Sequence, residues 1–330
     1  MNWAIFIIFL AISFSGCTRY PSGPLIFVTN ERDGTISVID AEKNEIIDTI
    51  RTGGRPRGIR VSADGSHAYV AVSNPVNGPK SADEERIVVI DTSSGALLRS
   101  IDVGPDPEQL AVDGEEKKIY VSNEDSGTAN VVDLRSGEIV NTLITGIEPE
   151  GVTVSPDDKW VYVMAETGST VTVIDTEKQE VVNTFLVGAR PRDAAFSPDG
   201  ERAYVTSELG QTLSVVELPS HRVSATVPLN YNDAVKPVGV IVSPDGSRIY
   251  VANGRANTVS VIDAATLQIV TTVAVGQRVW GIALTPDGKR LYAANGLSND
   301  VSVIDTDTNN RVASVKAGDG PWGVAVRGPR

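Results

Sequence analysis

The chain has 330 residues, 41% of them hydrophobic, and a formal net charge of −13. That acidity argues against nucleic acid or an anionic membrane surface as the main partner. The single Cys excludes internal disulfides and a CxxCH haem attachment. The two His residues, His67 and His221, fall in unrelated strands, read as surface residues, and cannot build a multi-His copper or zinc site.

Residues 1–16 form an apolar run too short and too N-terminal for a stable transmembrane helix, and read as a signal peptide. Phe14-Ser15-Gly16-Cys17 resembles a bacterial lipoprotein cleavage box, with Phe14 where Leu is usual and no Lys or Arg upstream. It implies an exported chain, periplasmic and held at the outer membrane by acyl groups on Cys17, with residues 17–23 as a short tether. The alternatives are an ordinary signal peptide and an uncleaved anchor.

From residue 24 to 330 the chain reads as short strands separated by Gly, Pro, Asn and Asp. The first three are Leu25 to Thr29, Thr35 to Asp40 and Glu45 to Ile50. A Gly-x-x-Pro-x opening then recurs, its Pro position falling at Pro56, Pro107, Pro149, Pro191, Pro237, Val279 and Pro321. The spacings are 51, 42, 42, 46, 42 and 42. The best-defined unit, Gly276 to Gly318, predicts four strands: Ile282 to Leu284, Arg290 to Ala294, Val301 to Asp305 and Arg311 to Lys316. One such meander cannot bury both faces and needs copies of itself on either side. Six whole units and a split seventh, completed by Gly323 to Arg327, predict an all-β, seven-bladed β-propeller of four-stranded antiparallel blades. The C-terminal strand closes the ring by pairing with the N-terminal blade, which leaves no open edge.

Repeating polar residues read as turn chemistry. Asp40, Asp91, Asp133, Asp175, Asp263 and Asp305 each close a strand before a turn, with Glu217 in the equivalent place once. Ser197-Pro198-Asp199-Gly200 and Ser243-Pro244-Asp245-Gly246 are turns whose Pro and Gly preset the dihedrals. Tyr120-Val121-Ser122-Asn123, Tyr250-Val251-Ala252-Asn253 and Tyr292-Ala293-Ala294-Asn295, with Phe27-Val28-Thr29-Asn30, end strands with an Asn expected to bond nearby backbone.

Residues that change from blade to blade are the candidates for function. The loops entering the innermost strands share a face with the loops between strands two and three. Both departures from the 42-residue period, in Val72 to Glu85 and near Leu229 to Ala234, lie on that face. Flanking the Pro positions are Arg55 and Arg57, Asp106 and Glu108, Glu148 and Glu150, Arg190 and Arg192, Lys236, Arg278 with Trp280, and Trp322. They predict a ring at the mouth of the central channel with one acidic and one basic arc. Arg forks beside flat aromatic surfaces suit a planar, carboxylate-bearing ligand. The same residues could instead pair across the ring and only rigidify the mouth, with the tryptophans filling space.

The aromatic-x-x-Asn blocks resemble the YVTN repeat family of propellers. The order of the Arg55-Pro56-Arg57-Gly58, Asp106-Pro107-Glu108, Glu148-Pro149-Glu150-Gly151, Arg190-Pro191-Arg192, Gly276-Gln277-Arg278-Val279-Trp280 and Pro321-Trp322-Gly323-Val324 motifs is similar to the seven-repeat subfamily associated with PQQ-dependent catabolism. The likeness covers residues 25–326. It implies an exported protein working beside PQQ-dependent alcohol oxidation and ABC transport functions, with no known catalytic activity.

Two functions follow as expectations. The first is a non-enzymatic binding module or scaffold. Its basic arc of Arg55, Arg57, Arg190, Arg192 and Arg278 would hold an anionic molecule such as PQQ, or dock an envelope partner such as a PQQ-dependent dehydrogenase or transport component. The alternative is a propeller enzyme, lactonase-like or quinoprotein-like, needing a metal or a general base in the channel. Glu148 and Glu150 are its candidates by position, and no metal-ligand spacing or nucleophile motif accompanies them. Single-stranded nucleic acid would suit the Arg and Trp patch but not the overall charge.

Overall fold

The computed structural model describes residues 20–75, 81 and 84–330. The predicted leader and Cys17 lie outside the described residues, as does part of the insertion after Val72. The described strands form seven four-stranded antiparallel sheets arranged in a ring. Blade one is split: Pro321–Arg327 is its inner strand and Leu25–Asn30 its second, paired from Leu25↔Arg327 to Asn30↔Pro321. The inner strands of blades two to seven are Arg55–Val61, Pro107–Val112, Pro149–Val154, Pro191–Phe196, Val240–Val242 and Val279–Leu284. Each packs on its two neighbours around a central channel.

Alternating apolar residues on both faces of every inner and second strand fill the space between blades. Phe27, Tyr69, Tyr120, Tyr162, Tyr204, Tyr250 and Tyr292 occupy the same place in seven second strands, and all are buried. Outermost strands such as Leu97–Asp102 face solvent and are mostly exposed.

The strand-ending Asp residues act as expected. Asp40 Oδ1 accepts the Glu42 and Lys43 amides at 2.9 and 3.2 Å, and Asp91 Oδ1 those of Ser93 and Ser94 at 2.7 and 3.0 Å. In the Ser-Pro-Asp-Gly turns, Asp245 accepts from the Ser243 and Ser247 hydroxyls and the Ser247 amide. Those bonds hold its carboxyl down at about 2.

Three expectations need correction. The strand-ending Asn side chains are fully buried; Asn123 donates to the Val103 and Pro105 carbonyls as backbone bonding predicts, but Asn253 and Asn295 bond side chains instead. Asn253 Nδ2 donates to Tyr231 Oη, Thr258 Oγ1 and Ser260 Oγ, and Asn295 Nδ2 to Asp300 and Ser302, so they tie strand two to strand three. His221 is buried, because its turn tucks the ring between Trp160 and Tyr162 of the preceding blade. Tyr162 Oη lies 2.7 Å from His221 Nδ1, and burial lowers the imidazole pKa. Residues 20–23 are not a free tether: the Tyr20 amide donates to Ser93 O, and buried Arg327 donates to the carbonyls of Pro21, Gly23 and Thr92.

Candidate functional site: the channel mouth and the channel beneath it

Local backbone geometry aims the variable residues at the axis. Five inner strands carry a register shift directly after the Pro position, between Pro56 and Ile59, Pro107 and Leu110, Pro149 and Val152, Pro191 and Ala194, and Val279 and Ile282. Such a bulge leaves residues unpaired and re-aims their side chains. The residue before the Pro position is left-handed in five blades: Asp106 (φ 47), Glu148 (φ 55), Arg190 (φ 58), Arg278 (φ 57) and Gly320 (φ 73). Away from glycine this conformation costs about 1–2 kcal/mol per residue. It recurs before Val279 as well as before Pro, so the loop dictates it.

The structure brings the predicted mouth residues other than Lys236 and Glu148 into one charged lattice with the two tryptophans, and most of the basic arc is already engaged. Arg55 pairs with Asp106 at 3.2 Å and Glu108 at 3.0 Å. Arg57 pairs with Glu108 and with Glu31 at 3.3 Å. Arg192 is 6% exposed and pairs with Glu150 and Glu166. Arg190 reaches Glu166 at 2.6 Å and Glu208 at 3.5 Å. The expectation that these five arginines jointly face a ligand is therefore corrected: four are paired with carboxylates of the ring, and of the five only Arg278 holds a buried nitrogen without a hydrogen-bond partner among the described residues. Glu148 is exposed and accepts from Thr167 Oγ1.

Glu31, Glu166 and Glu208 do not stand out in the sequence. They follow the last residue of the second strand, where the seven blades carry Glu31, Asn74, Glu124, Glu166, Glu208, Gly254 and Gly296. Comparing that position across the repeats is the signal that would have found them. Glu124 joins Asp106 and Glu108 in a carboxylate cluster whose oxygens lie within 4.8 Å of one another. Burial, with Glu150 nearby, raises the Glu124 pKa, while Arg55 and Arg57 occupy the cluster's cationic side.

Blades six and seven differ, because glycine replaces the carboxylate there. A Cβ on Gly296 would stand 2.8 Å from Trp280 Nε1, and one on Gly254 would stand 3.6 Å from Arg278 Nη1. The space so released forms a groove of about 470 Å³ lined by Arg278, Arg255, Trp280, Leu297 and Glu31, among others. The Arg278 guanidinium lies 4.1 Å from the Trp280 ring centroid. Its Nη2 reaches Glu208 at 3.3 Å, whereas Nη1 is buried without a hydrogen-bond partner among the described residues. Burial lowers its pKa, and the Arg255 and Arg192 charges act in the same direction. Lys236, half-buried, makes no ion pair among the described residues.

Trp280 and Trp322 stack with centroids 6.2 Å apart at 29°. Arg57 lies over Trp322 and Arg192 over Trp280, at 5.2 and 5.5 Å. This layer roofs a channel cavity of about 590 Å³. Three polar residues below the roof also escape the sequence pattern. The second residue after the Pro position is Gly58, Gly151, Gly239, Gly281 and Gly323 in five blades, but Gln109 and Asp193 in the other two. Glycine is required where the next inner strand crowds in: a Cβ would come 2.8 Å from Trp280 O at Gly239 and 2.6 Å from Trp322 O at Gly281. Two positions later, Arg60 stands where the others are Ala, Thr or Ile. Asp193 accepts the Ala194 amide at 2.9 Å and the Val240 amide at 3.2 Å. Burial nevertheless pushes its carboxyl up to about 6, with Arg60 opposing. This channel carboxylate is a candidate general base that the sequence reading, with Glu148 and Glu150, did not include.

The comparisons with known proteins agree on architecture. The model of the family described as lactonase, 7-bladed beta-propeller, matches residues 181–319. The chain is a seven-bladed β-propeller. No curated protein matches it. Among solved structures it is similar to hydrazine synthase of Kuenenia stuttgartiensis, with 23% identity, a TM-score of 0.74, and 89% of this chain and 99% of that one covered. A functionally unknown protein from Desulfotomaculum acetoxidans gives 18% identity, a TM-score of 0.78, and 93% and 99% coverage. A putative 6-phosphogluconolactonase from Bacteroides fragilis gives 19%, 0.76, and 92% and 98%. These likenesses carry the fold.

Proposed function

We propose that this propeller is an exported binding protein that takes a small, flat polycarboxylate in the mouth groove of blades six and seven. The observation that carries the reading is Arg278: stacked on Trp280, flanked by Arg255, and holding one buried donor without a hydrogen-bond partner among the described residues. A carboxylate placed there would fill that donor, while the ligand plane would lie on Trp280 and Leu297. PQQ, a planar quinone with three carboxylates, fits this chemistry, and the subfamily resemblance supplies a PQQ-linked oxidation or transport system as the setting. In this reading acyl groups on Cys17 hold the protein at the outer membrane.

Calorimetric titration of PQQ into the chain lacking residues 1–17 tests it. Arg278→Ala should weaken binding by about tenfold or more, since a hydrogen bond to a charged group contributes about 1.5–3 kcal/mol. Arg190→Ala should change it little, because Arg190 is tied to Glu166 and Glu208. No binding by the wild-type protein would sink the PQQ assignment.

A second reading is hydrolysis of a lactone in the channel. It is favoured by the match to the lactonase family model over residues 181–319 and by Asp193, a channel carboxyl poised near 6 that could serve as general base. Turnover on a lactone panel that Asp193→Asn abolishes would put this reading first.

A further inference from the structure

The channel beneath the tryptophan roof is polarised from one side to the other. On blades one and two it presents donors. Trp322 is 5% exposed, and its Nε1 has no hydrogen-bond partner among the described residues. Arg60 spends one nitrogen on its own Ile59 carbonyl and has no carboxylate within 4 Å among the described residues. On blades three and five the channel presents acceptors. Gln109 Oε1 is buried with no hydrogen-bond partner among the described residues. Asp193 has no cation within 4 Å among the described residues, and its near neighbour Glu150 is negative. Arg60 and Asp193 come from inner strands three blades apart, so they face each other across the axis and leave a gap between them.

Arg60 and Asp193 are half-buried, and groups of opposite charge drawn out of bulk water without touching are costly unless something else satisfies them. Both also break the repeat. Glycine would pack at 193, as it does in five other blades, and a small side chain at 60 would leave the channel apolar. A ligand spanning the gap must carry an anion at the Arg60 end and a cation at the Asp193 end. An ammonium suits the second end better than a hydroxyl. Its three donors suit both Gln109 Oε1 and Asp193, and its charge offsets a carboxylate that Arg60 influences only from across the gap.

We propose that the central channel is a second ligand site, separate from the mouth groove, that binds a small zwitterion with its carboxylate on Arg60 and the Trp322 indole N–H and its ammonium on Asp193 and Gln109. The inference needs neither turnover nor an occupied mouth.

Saturation-transfer NMR on the full processed chain tests it with short ω-aminocarboxylates, the matching ω-hydroxycarboxylates and the unsubstituted carboxylates as probes. Saturable binding of the amino series, weakened about tenfold or more by Arg60→Gln and by Asp193→Asn, is the expected result. Arg278→Ala should leave this binding unchanged, which separates it from the mouth groove. Arg60→Lys keeps the charge and should retain part of the affinity, so a misfolded Arg60→Gln would not leave the question open. Equal binding of the hydroxy or unsubstituted series would overturn the pairing of ammonium with Asp193. Absence of saturable binding by any series would overturn the site.

Discussion

The two halves of the mouth are built on one loop framework and end up chemically opposite. In blades two to five, Arg55, Arg57, Arg190 and Arg192 are locked to carboxylates of their own or neighbouring blades. In blades six and seven, Arg278 sits on Trp280 with one donor unpartnered among the described residues, next to Arg255 and near Lys236. Part of the difference traces to the position after the second strand: Glu31, Glu166 and Glu208 pair with arginines there, and Gly254 and Gly296 take that place in blades six and seven. A carboxylate there turns an arginine into structure, and a glycine there leaves it available and makes room for an indole. Charge at the mouth is therefore a poor guide to binding until each cation is checked for an internal partner.

The sharpest way to break the comparison is to remove the centre of the locked half. Arg192 is buried with Glu150, Glu166 and Glu208 around it, the last at 3.8 Å. Arg192→Ala leaves those carboxylates facing one another without their cation. Removing one partner of a buried pair costs about 3–5 kcal/mol. Urea unfolding should show that loss, and a value below about 1 kcal/mol would mean that the lattice is solvated and the two halves are alike.

The next largest effect lies beneath the roof. Asp193 ionises near 6 in the folded chain, against 3.8 for the ordinary carboxyl. Between those values the folded state holds a proton that the unfolded state has released, so stability falls as pH rises through this window. Below it there is no penalty. Above it the penalty is complete and amounts to about 3 kcal/mol, because a tenfold change in acidity is worth about 1.4 kcal/mol. Arg60 and Glu150 act on this carboxyl in opposite directions and set how far burial can raise it. Unfolding free energies from pH 4 to pH 7 should decline more steeply for the wild type than for Asp193→Asn. Parallel curves would mean that the channel does not shield the Asp193 carboxyl from water.

The ring, its closure and its two insertions were legible because they repeat, or because they interrupt a repeat. A hydrophobic period of two and a Pro every 42 residues fix strand order and facing without any knowledge of contacts. The mouth was legible as a list of charges but not as a set of partners. Pairing depends on Glu31, Glu166 and Glu208, which arrive from loops one strand away. Asp193, Gln109 and Arg60 escaped for a different reason. Each sits a few residues past the conspicuous Pro-x motif, at positions whose meaning appears only once close packing shows that glycine is the default. His221 escaped because its burial comes from Trp160 and Tyr162 of another blade, at long range in sequence.

The smallest effect is the one that tests the cause of the asymmetry. Gly296→Ala adds a methyl where Trp280 Nε1 and Cδ1 already stand 2.8 Å from the Cβ position and Pro321 O stands at 3.3 Å. The indole must tilt, because the carbonyl behind it belongs to an inner strand of the ring and cannot retreat. Overpacking of this kind costs about 1–3 kcal/mol, toward the low end here because the contact is with a side chain at a groove and not with a sealed core. Tilting Trp280 also moves the face on which Arg278 lies. Affinity for a planar polycarboxylate should therefore fall together with stability, and tryptophan fluorescence should shift in the ligand-free protein. The control is the matching change in the locked half, Glu166→Ala, which should lower stability through Arg192 and leave mouth-groove binding in place. If Glu166→Ala impairs binding as much as Gly296→Ala does, the two halves work as one ring, and the glycines of blades six and seven are not what opens the site.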